Sequence, residues 1–327
     1  MNIDLLDKKI LFLLEQNSKL PVSTLSKQVH ASREVVNYRI KKLEEKNIIK
    51  SYISRIDQSL FCLGAASLNL TINKSNQIRY LEILDFLKNY PNINWIGELC
   101  GTQDLSVTIL YQNSFKLSEI IENITLFIDK DLISYSVHLY VDEIKFSRIG
   151  ILELENYDIK LTRGTKFENQ KKIKLDDKDL IILKELSQNS KITNIELSKK
   201  IDSKEDMVRI RIKNLEKNCV ILGYTIVINP YVFGFEGYYI NLNIENLTYK
   251  NYDLIKSYIN SNPFIFYSVK IVGEYNLLIV VYTKNRLDFN EILINLRSFF
   301  GTSLKKYEVQ MLLNEHKEVF ISKEIIN

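Results

Sequence analysis

The chain has 327 residues, 46% hydrophobic and 26% charged, and 44 basic residues nearly balance 40 acidic ones for a net charge of +4. This composition is typical of a folded globular protein and excludes a disordered or fibrous one. No segment approaches 18 uninterrupted apolar residues and the first residues lack a signal-peptide pattern, so we expect a cytoplasmic protein with no membrane partner. Because the charges nearly balance, a case for nucleic acid depends on where the basic residues lie.

The first predicted element is an amphipathic helix over residues 5–14. Its apolar residues, at helical spacing, are Leu6, Ile10, Leu11, Phe12 and Leu14. A second helix starts near Pro21, where proline is tolerated in a first turn. A third helix follows a gap at 30–32 and runs to about Lys46, with Val36, Ile40 and Leu43 facing inward. The alternating segment 48–56 then predicts a short hairpin or wing, which completes the order of a winged helix-turn-helix.

The outer face of the third helix is polar and basic. Arg and Lys can bond guanine in the major groove, Asn can bond adenine, and basic residues at the margins can meet phosphates. The predicted DNA-binding residues are Ser32, Arg33, Asn37, Tyr38 and Lys41, with Lys204, Arg209 and Lys213 in a second copy of the element described below. An ordinary solvated helix face is the alternative interpretation of these charges.

The segment after the wing predicts the order βαββαβ of a ferredoxin-like fold. Strands are expected at 65–72, 94–100, 105–111 and 133–141, and helices at 78–87 and 115–128. The first of these helices is expected to bury Ile78, Leu81, Leu84 and either Phe86 or Leu87. The charged segment 145–172 is predicted to be a linker with a possible edge strand.

The whole pattern then recurs in register. Gln-Asn-Ser-Lys at 16–19 returns at 188–191, and Arg-Ile-Lys at 39–41 returns at 211–213, each 172 positions later. A match over this distance indicates a duplicated module, since solenoid repeats have periods of about 20 to 50 residues. The predicted fold class is therefore α+β, with two winged helix-turn-helix domains alternating with two ferredoxin-like domains. The predicted boundaries are 1–57, 58–150, 173–230 and 231–327.

Two details of the second copy bear on its helices. Thr193 and Glu196 form a capping-box pattern at the start of the second helix, and Ser203 and Asp206 fit the same pattern at the third. Acids at a helix start would face phosphates in a DNA complex, but the capping interpretation explains Asp206 by helix stability as well.

Each ferredoxin-like segment contains a glycine turn between its central strands. The turns read Gly101-Thr102-Gln103-Asp104 and Gly273-Glu274-Tyr275-Asn276. Glycine permits unusual dihedral angles, and Asp or Asn three residues later can bond nearby amides. A tight turn without further function explains either pattern equally well.

Together these motifs resemble the Lrp/AsnC, or feast/famine, family of transcription regulators. The likeness is carried by Leu6-Asp7-x-x-Ile10-Leu11, Leu25-Ser26-Lys27, Arg39-Ile40-Lys41-x-Leu43-Glu44, Ile48-Ile49-x-x-Tyr52 and Gly101-x-x-Asp104-Leu105, with counterparts around Asp179, Leu197, Arg211, Tyr224 and Gly273. The resemblance implies double-stranded DNA as partner, an amino-acid effector, and homo-oligomers formed through the ferredoxin-like domains. No cofactor is predicted. The implied effector-binding residues are Gly101, Thr102, Asp104, Gly273 and Asn276.

Two alternatives come from other classes. Siroheme decarboxylases of the alternative haem pathway look like the same two-domain unit, and a purely architectural protein would use its winged helices to contact protein. The three histidines, His30, His138 and His316, lie outside both glycine turns, and His138 is expected to be a satisfied histidine in a strand. No catalytic motif or metal-ligand spacing is apparent, so no enzyme is predicted. The widely spaced Cys62, Cys100 and Cys219 are expected to be buried apolar side chains.

Overall fold

The computed structural model describes residues 3–57, 61, 63–154, 174–245, 247 and 249–319. These residues form two compact units, and each unit draws on both repeats. The first contains residues 3–57, 147–154 and 174–235, and the second contains the described residues of 61–146 and 236–319. Within the described segments, no helix is both long and apolar enough to span a membrane.

The helices and strands follow the same order in both repeats. In the first repeat they are α1 (Leu5–Gln16), α2 (Val22–Val29), α3 (Arg33–Glu45), β1 (Ile49–Ile56), β2 (Gly64–Ile72), α4 (Gln77–Asn89), β3 (Ile93–Cys100), β4 (Leu105–Tyr111), α5 (Ser114–Ile128) and β5 (Leu132–Phe146). In the second they are α6 (Asp177–Gln188), α7 (Asn194–Lys200), α8 (Glu205–Lys217), β6 (Ile221–Ile228), β7 (Glu236–Ile244), α9 (Tyr249–Ser261), β8 (Ile265–Val272), β9 (Leu277–Thr283), α10 (Arg286–Phe300) and β10 (Leu304–Glu318). The predicted α+β class is confirmed.

The first unit contains two three-helix modules. In the first module the inward residues of α1 pack against Leu25, Val36 and Leu43, which are buried, while Ile40 is half-buried. One of the two predicted capping boxes is confirmed, because Thr193 and Glu196 form it at the start of α7. Satisfying the orphan amides of its first turn explains why this short helix begins at Asn194.

The predicted wing hairpin is wrong in its partner. Segment 49–56 forms a single strand, β1, which pairs antiparallel with β6 of the other repeat, with Tyr52 opposite Ile226 and Ser54 opposite Tyr224. Both strands have largely buried side chains. Each repeat thus supplies one half of a two-stranded sheet, because an apolar strand alone would leave its backbone groups unpaired.

The second unit contains the two ferredoxin-like halves. The described strands form a closed barrel in the order β10-β3-β4-β2-β5-β8-β9-β7. The long strands β5 and β10 join the halves, since β5 pairs with both β2 and β8, and β10 pairs with both β7 and β3. In each half, two helices and four strands share an apolar core.

The predicted buried stripe of helix α4 is confirmed at Leu84 and Leu87 and wrong at Ile78 and Leu81. Tyr80, Ile83, Leu84 and Leu87 are buried, whereas Ile78 and Leu81 are exposed. The buried set has the spacing i, i+3, i+4 and i+7, which defines one face of a helix more closely than the predicted set does.

The predicted linker also begins later than expected. Lys145 lies within β5, and residues 149–152 form a short 3-10 turn that contributes Ile149 and Leu152 to the core of the first unit. The Ser147 hydroxyl and the Arg148 amide both donate to a Glu15 carboxylate oxygen at 3.2 Å. Residues 155–172 of this prediction lie outside the described residues.

The expectation of buried cysteines is wrong for two of the three. Cys100 and Cys219 are exposed free thiols, and Cys62 lies outside the described residues. Cys100 ends β3 at a turn, and Cys219 follows α8 in a left-handed backbone conformation (φ 57°). Both positions are at element ends, where side chains face solvent.

Candidate DNA-recognition surface and effector turns

Helix α3 presents the predicted DNA-binding residues of the first repeat on its outer face. Ser32 is the N-cap, and its hydroxyl accepts a hydrogen bond from the Val35 amide at 3.3 Å. Val36 and Leu43 fix the opposite face in the core. The residues left exposed include Arg33, Asn37, Tyr38 and Lys41, together with Ser32 itself.

An arginine anchors this helix to the first helix of its module. Arg39 contacts Asp4 at 2.7 Å and Asp7 at 3.2 Å. In the second repeat, Arg211 contacts Asp176 at 2.8 Å and Asp179 at 2.7 Å in the same way. These ion pairs were not assigned a role from the sequence, although the repetition of both the arginine and the acid at the same offset was a signal of contact. They hold each recognition helix in orientation against the first helix.

Helix α8 presents Lys204, Arg209 and Lys213 on its exposed face, but its first turn differs from that of α3. The predicted capping box at Ser203 and Asp206 is wrong, because the helix begins at Glu205 and its N-cap, Lys204, makes no side-chain capping bond. In a capping box the acid is the third residue of the helix, and Asp206 is the second. Its carboxylate instead accepts a hydrogen bond from Arg209 at 2.7 Å.

The two modules are braced against each other around the β1–β6 sheet. The Ser18 and Ser190 hydroxyls lie 3.3 Å apart, and the Ser18 and Ser190 amides donate to the carbonyls of Tyr224 and Tyr52 at 3.0 and 2.9 Å. Lys191 lies 3.7 Å above the Tyr52 ring, and the equivalent lysine lies 3.9 Å above the Tyr224 ring. The Tyr52 hydroxyl donates a hydrogen bond at 2.6 Å to Glu44, near the end of α3. The recognition helices are therefore parts of one braced unit.

The turn at Gly101 meets a strand of the other repeat. A Cβ on Gly101 would approach Gln310 to 3.0 Å, and the Thr102 hydroxyl donates to Glu308. Asp104 accepts a hydrogen bond from the Ile72 amide at 2.7 Å and lies 3.1 Å from Lys74.

The turn at Gly273 occupies the equivalent place but is chemically different. A Cβ on Gly273 would approach the His138 ring to 2.5 Å, so only glycine allows this close contact. Asn276 uses its side-chain oxygen and nitrogen on the amide and carbonyl of Ile244, at 2.9 and 2.7 Å. This side chain is therefore committed to holding the turn, whereas the first turn carries a carboxylate.

His138 is not the satisfied histidine expected from the sequence. It is buried, its Nδ1 lies 3.4 Å from the Asn69 side-chain nitrogen, and its Nε2 has no hydrogen-bond partner among the described residues. Burial lowers the pKa of His138, which favours the neutral ring. No group of His, Cys, Asp and Glu side chains that could hold a metal is found in the described parts of the chain.

Comparison with known proteins gives the class and then the family. A family model described as winged helix-turn-helix DNA-binding matches residues 3–50 and again 175–218. The HTH-type transcriptional regulator FL11 of Pyrococcus horikoshii is 31% identical over 120 residues, which cover 37% of this chain and 78% of that regulator. An uncharacterised HTH-type regulator of the same organism is 30% identical over 151 residues, 45% of this chain and 97% of its own length. The leucine-responsive regulatory protein of Haemophilus influenzae is 45% identical over 65 residues, 20% of this chain and 39% of that protein.

The fold has a full-length counterpart as well. The crystal structure of the siroheme decarboxylase NirDL aligns over 97% of this chain and 94% of its own, with a TM-score of 0.62 and 15% identity. At that identity the likeness concerns the fold alone.

The duplicated helix-turn-helix and the sequence relatives define a DNA-binding transcription regulator rather than an enzyme. Within that class, the chain belongs to the Lrp/AsnC family.

Proposed function

We propose that this chain is a sequence-specific regulator in which two fused Lrp/AsnC units act as a single DNA-binding body. The observation that carries the proposal is the brace between the modules: one sheet built from both repeats, with Ser18 and Ser190 in contact across it. Family members usually pair as separate chains. Covalent linkage replaces that bimolecular step by an intramolecular one at high effective concentration.

The chemistry of the exposed helix faces supports the choice of DNA. Arg33, Lys41, Lys204 and Lys213 supply positive charge for phosphates or guanine, and Asn37 supplies a bidentate group for adenine. The acids that anchor each helix, at Asp7 and Asp179, belong to α1 and α6 rather than to the reading face.

The site bound is expected to be asymmetric. Asn37 and Tyr38 of α3 correspond to Arg209 and Ile210 of α8, so equivalent positions of the two helices present different chemistry. Two helices reading successive major grooves contact half-sites about 34 Å apart, one turn of DNA.

Selection from a random duplex pool with the full chain tests this proposal. We expect an enriched site with two unlike half-sites about one turn apart. Enrichment of a perfectly two-fold symmetric site would contradict the asymmetry, and no enrichment at all would contradict the DNA-binding proposal. An Arg33→Ala/Lys41→Ala variant should lose preference in one half-site only.

For the effector we propose an amino acid or related small molecule at the Gly101 turn, with Thr102 and Asp104 as contacts. Asp104 supplies a carboxylate that could pair with an amine, whereas Asn276 at the equivalent place is a neutral amide, and this difference favours the first turn over the second. Calorimetric titration with each amino acid tests this: heat that disappears in Thr102→Val and is kept in Asn276→Ala supports it. Equal loss of heat in both variants would contradict the preference for the first turn.

We further propose that chains associate through their ferredoxin-like halves, that the protein works in the cytoplasm, and that its domains divide at 1–57, 58–150, 173–230 and 231–327. Light scattering coupled to gel filtration reports the association. The fold shared with siroheme decarboxylases supplies a direct counter-test, because a Soret band after incubation with siroheme, together with absent DNA binding, would favour the enzyme.

A further inference from the structure

The outer face of α8 has an apolar centre. Met207 and Ile210 are 44% and 48% exposed; Ile210 lies on the side of the helix opposite its buried residues, and Met207 lies beside it one turn earlier. Asp206 lies four positions before Ile210 and Lys213 three positions after it, so these two charged side chains flank Ile210 along the same face. An isoleucine at the centre of a solvated, charged helix face has no role in the core of the protein.

The charged residues around Ile210 fit nucleic acid at the margins of this face rather than at its centre. Lys213 is exposed beside Ile210, and Lys204 is exposed at the helix start. Arg209 is bonded to Asp206 at 2.7 Å, and this pair is exposed. An exposed pair is weak, so Arg209 stays available to a phosphate or base beside Ile210 and does not replace the aliphatic side chain at the centre of the face.

In the major groove, an apolar side chain can pack against one apolar group on the base edges. Only thymine presents a methyl group there, while the other base edges present hydrogen-bond donors and acceptors. A polar base edge placed against Ile210 would lose its water without gaining a hydrogen bond, which costs free energy.

Helix α3 differs at the same positions. Its counterparts of Met207 and Ile210 are Val35 and Tyr38, and Tyr38 carries a hydroxyl and is 62% exposed. Lys42 lies 5.7 Å from the Tyr38 ring centroid. The centre of this face is amphipathic rather than aliphatic.

We propose, resting on the function proposed above, that α8 reads thymine methyl groups through Ile210, with Met207 beside it, and that α3 does not depend on them. The half-site under α8 is therefore thymine-containing at its centre. Ile210 is the specificity-determining residue of this half, and Lys204 and Lys213 supply phosphate contacts.

Replacing thymine by deoxyuridine tests this directly, because it removes the methyl group and keeps the base pair. The full chain is first used to select its site, and each half-site is then synthesised with deoxyuridine for thymine. We expect binding by anisotropy to weaken about fourfold for each methyl group that Ile210 touches in one half-site, as for burial of one methylene-sized group, and to change less than about twofold in the other half-site. In Ile210→Ala the sensitive half-site should no longer depend on the methyl groups.

Ile195→Ala serves as the matched control, because Ile195 is an isoleucine of similar exposure (54%) on α7. This variant should keep the full deoxyuridine effect. A wild type that binds the selected site equally well with and without the methyl groups would overturn the inference while leaving the proposed function intact. An effect that persists in Ile210→Ala would also overturn it. Failure to select any site would instead count against the proposed function.

Discussion

Removing the hydroxyl that links β1 to the end of α3 should destabilise the first unit measurably. The Tyr52 hydroxyl donates to Glu44 at 2.6 Å, and the ring also lies under Lys191. Burial and the neighbouring Glu44 raise the pKa of Tyr52 well above its ordinary value, so the hydroxyl remains a donor at neutral pH. Tyr52→Phe keeps the ring and removes only this hydrogen bond.

The size of the effect follows from the surroundings of the acceptor. A hydrogen bond to a charged group contributes about 1.5–3 kcal/mol. The Glu44 side chain is 35% exposed and remains paired with Lys191, so water and the lysine compensate in part. We therefore expect the low end, a decrease of about 1.5 kcal/mol in the free energy of unfolding of this unit.

Hydrogen exchange measured by mass spectrometry is the suitable assay. Amides of β1 and the end of α3 should exchange about tenfold faster in Tyr52→Phe, since about 1.4 kcal/mol corresponds to a factor of ten. Tyr38→Phe is the control within the same unit, because that hydroxyl is exposed, and its rates should match the wild type. Equal exchange in Tyr52→Phe and Tyr38→Phe would refute the stabilising role given to the Tyr52–Glu44 hydrogen bond.

Three further changes address other interactions. Arg211→Met should cost about 1 kcal/mol of stability in thermal unfolding, because it breaks the ion pairs with Asp176 and Asp179. Arg209→Met breaks only an exposed pair on the same helix and should cost less than about 0.5 kcal/mol. Equal costs would contradict the anchoring role of Arg211. Gly273→Ala should cost about 1–3 kcal/mol by overpacking against His138, and adding His138→Ala should cost less than the sum of the two single changes; strict additivity would argue against the close packing of these two residues. For Glu98, burial acts to raise the pKa, but His316, Tyr80 and Lys74 outweigh burial and lower the pKa below 4.5. The ionised Glu98 therefore stabilises the fold above that pH, and this stabilisation disappears as the pH falls through the lowered pKa. In urea titrations, the difference in stability between wild type and Glu98→Gln should shrink in acid; a constant difference would contradict this.

The helices and the fold class followed from the sequence because their signals are local. Apolar spacing in α1 and α3, and the capping residues at Thr193 and Glu196, act within one or two turns and need no knowledge of the partner. Strand pairing does not have this property. The union of β1 with β6, and the extension of β5 and β10 onto the other half, join residues far apart in the chain, and alternation alone does not name a partner.

The candidate site was predictable to different degrees in its parts. The exposed face of α3 follows from helical geometry, since Val36 and Leu43 fix which side is buried. The Asp206–Arg209 pair was obscured by a competing capping pattern that differs from the observed helix start by one residue. The contact between His138 and Gly273 could not be predicted from the sequence, because it depends on packing between the two ferredoxin-like halves.

The most direct test of the central claim is a salt titration of DNA binding by the full chain, with labelled duplex DNA and fluorescence anisotropy. The wild type should bind with an affinity that falls steeply with salt, and the Arg33→Ala/Lys41→Ala variant should show a slope shallower by about one for each phosphate that it no longer neutralises. Binding with the same slope in the variant would contradict the role of α3, and no binding at low salt would contradict the assignment of this chain as a DNA-binding regulator.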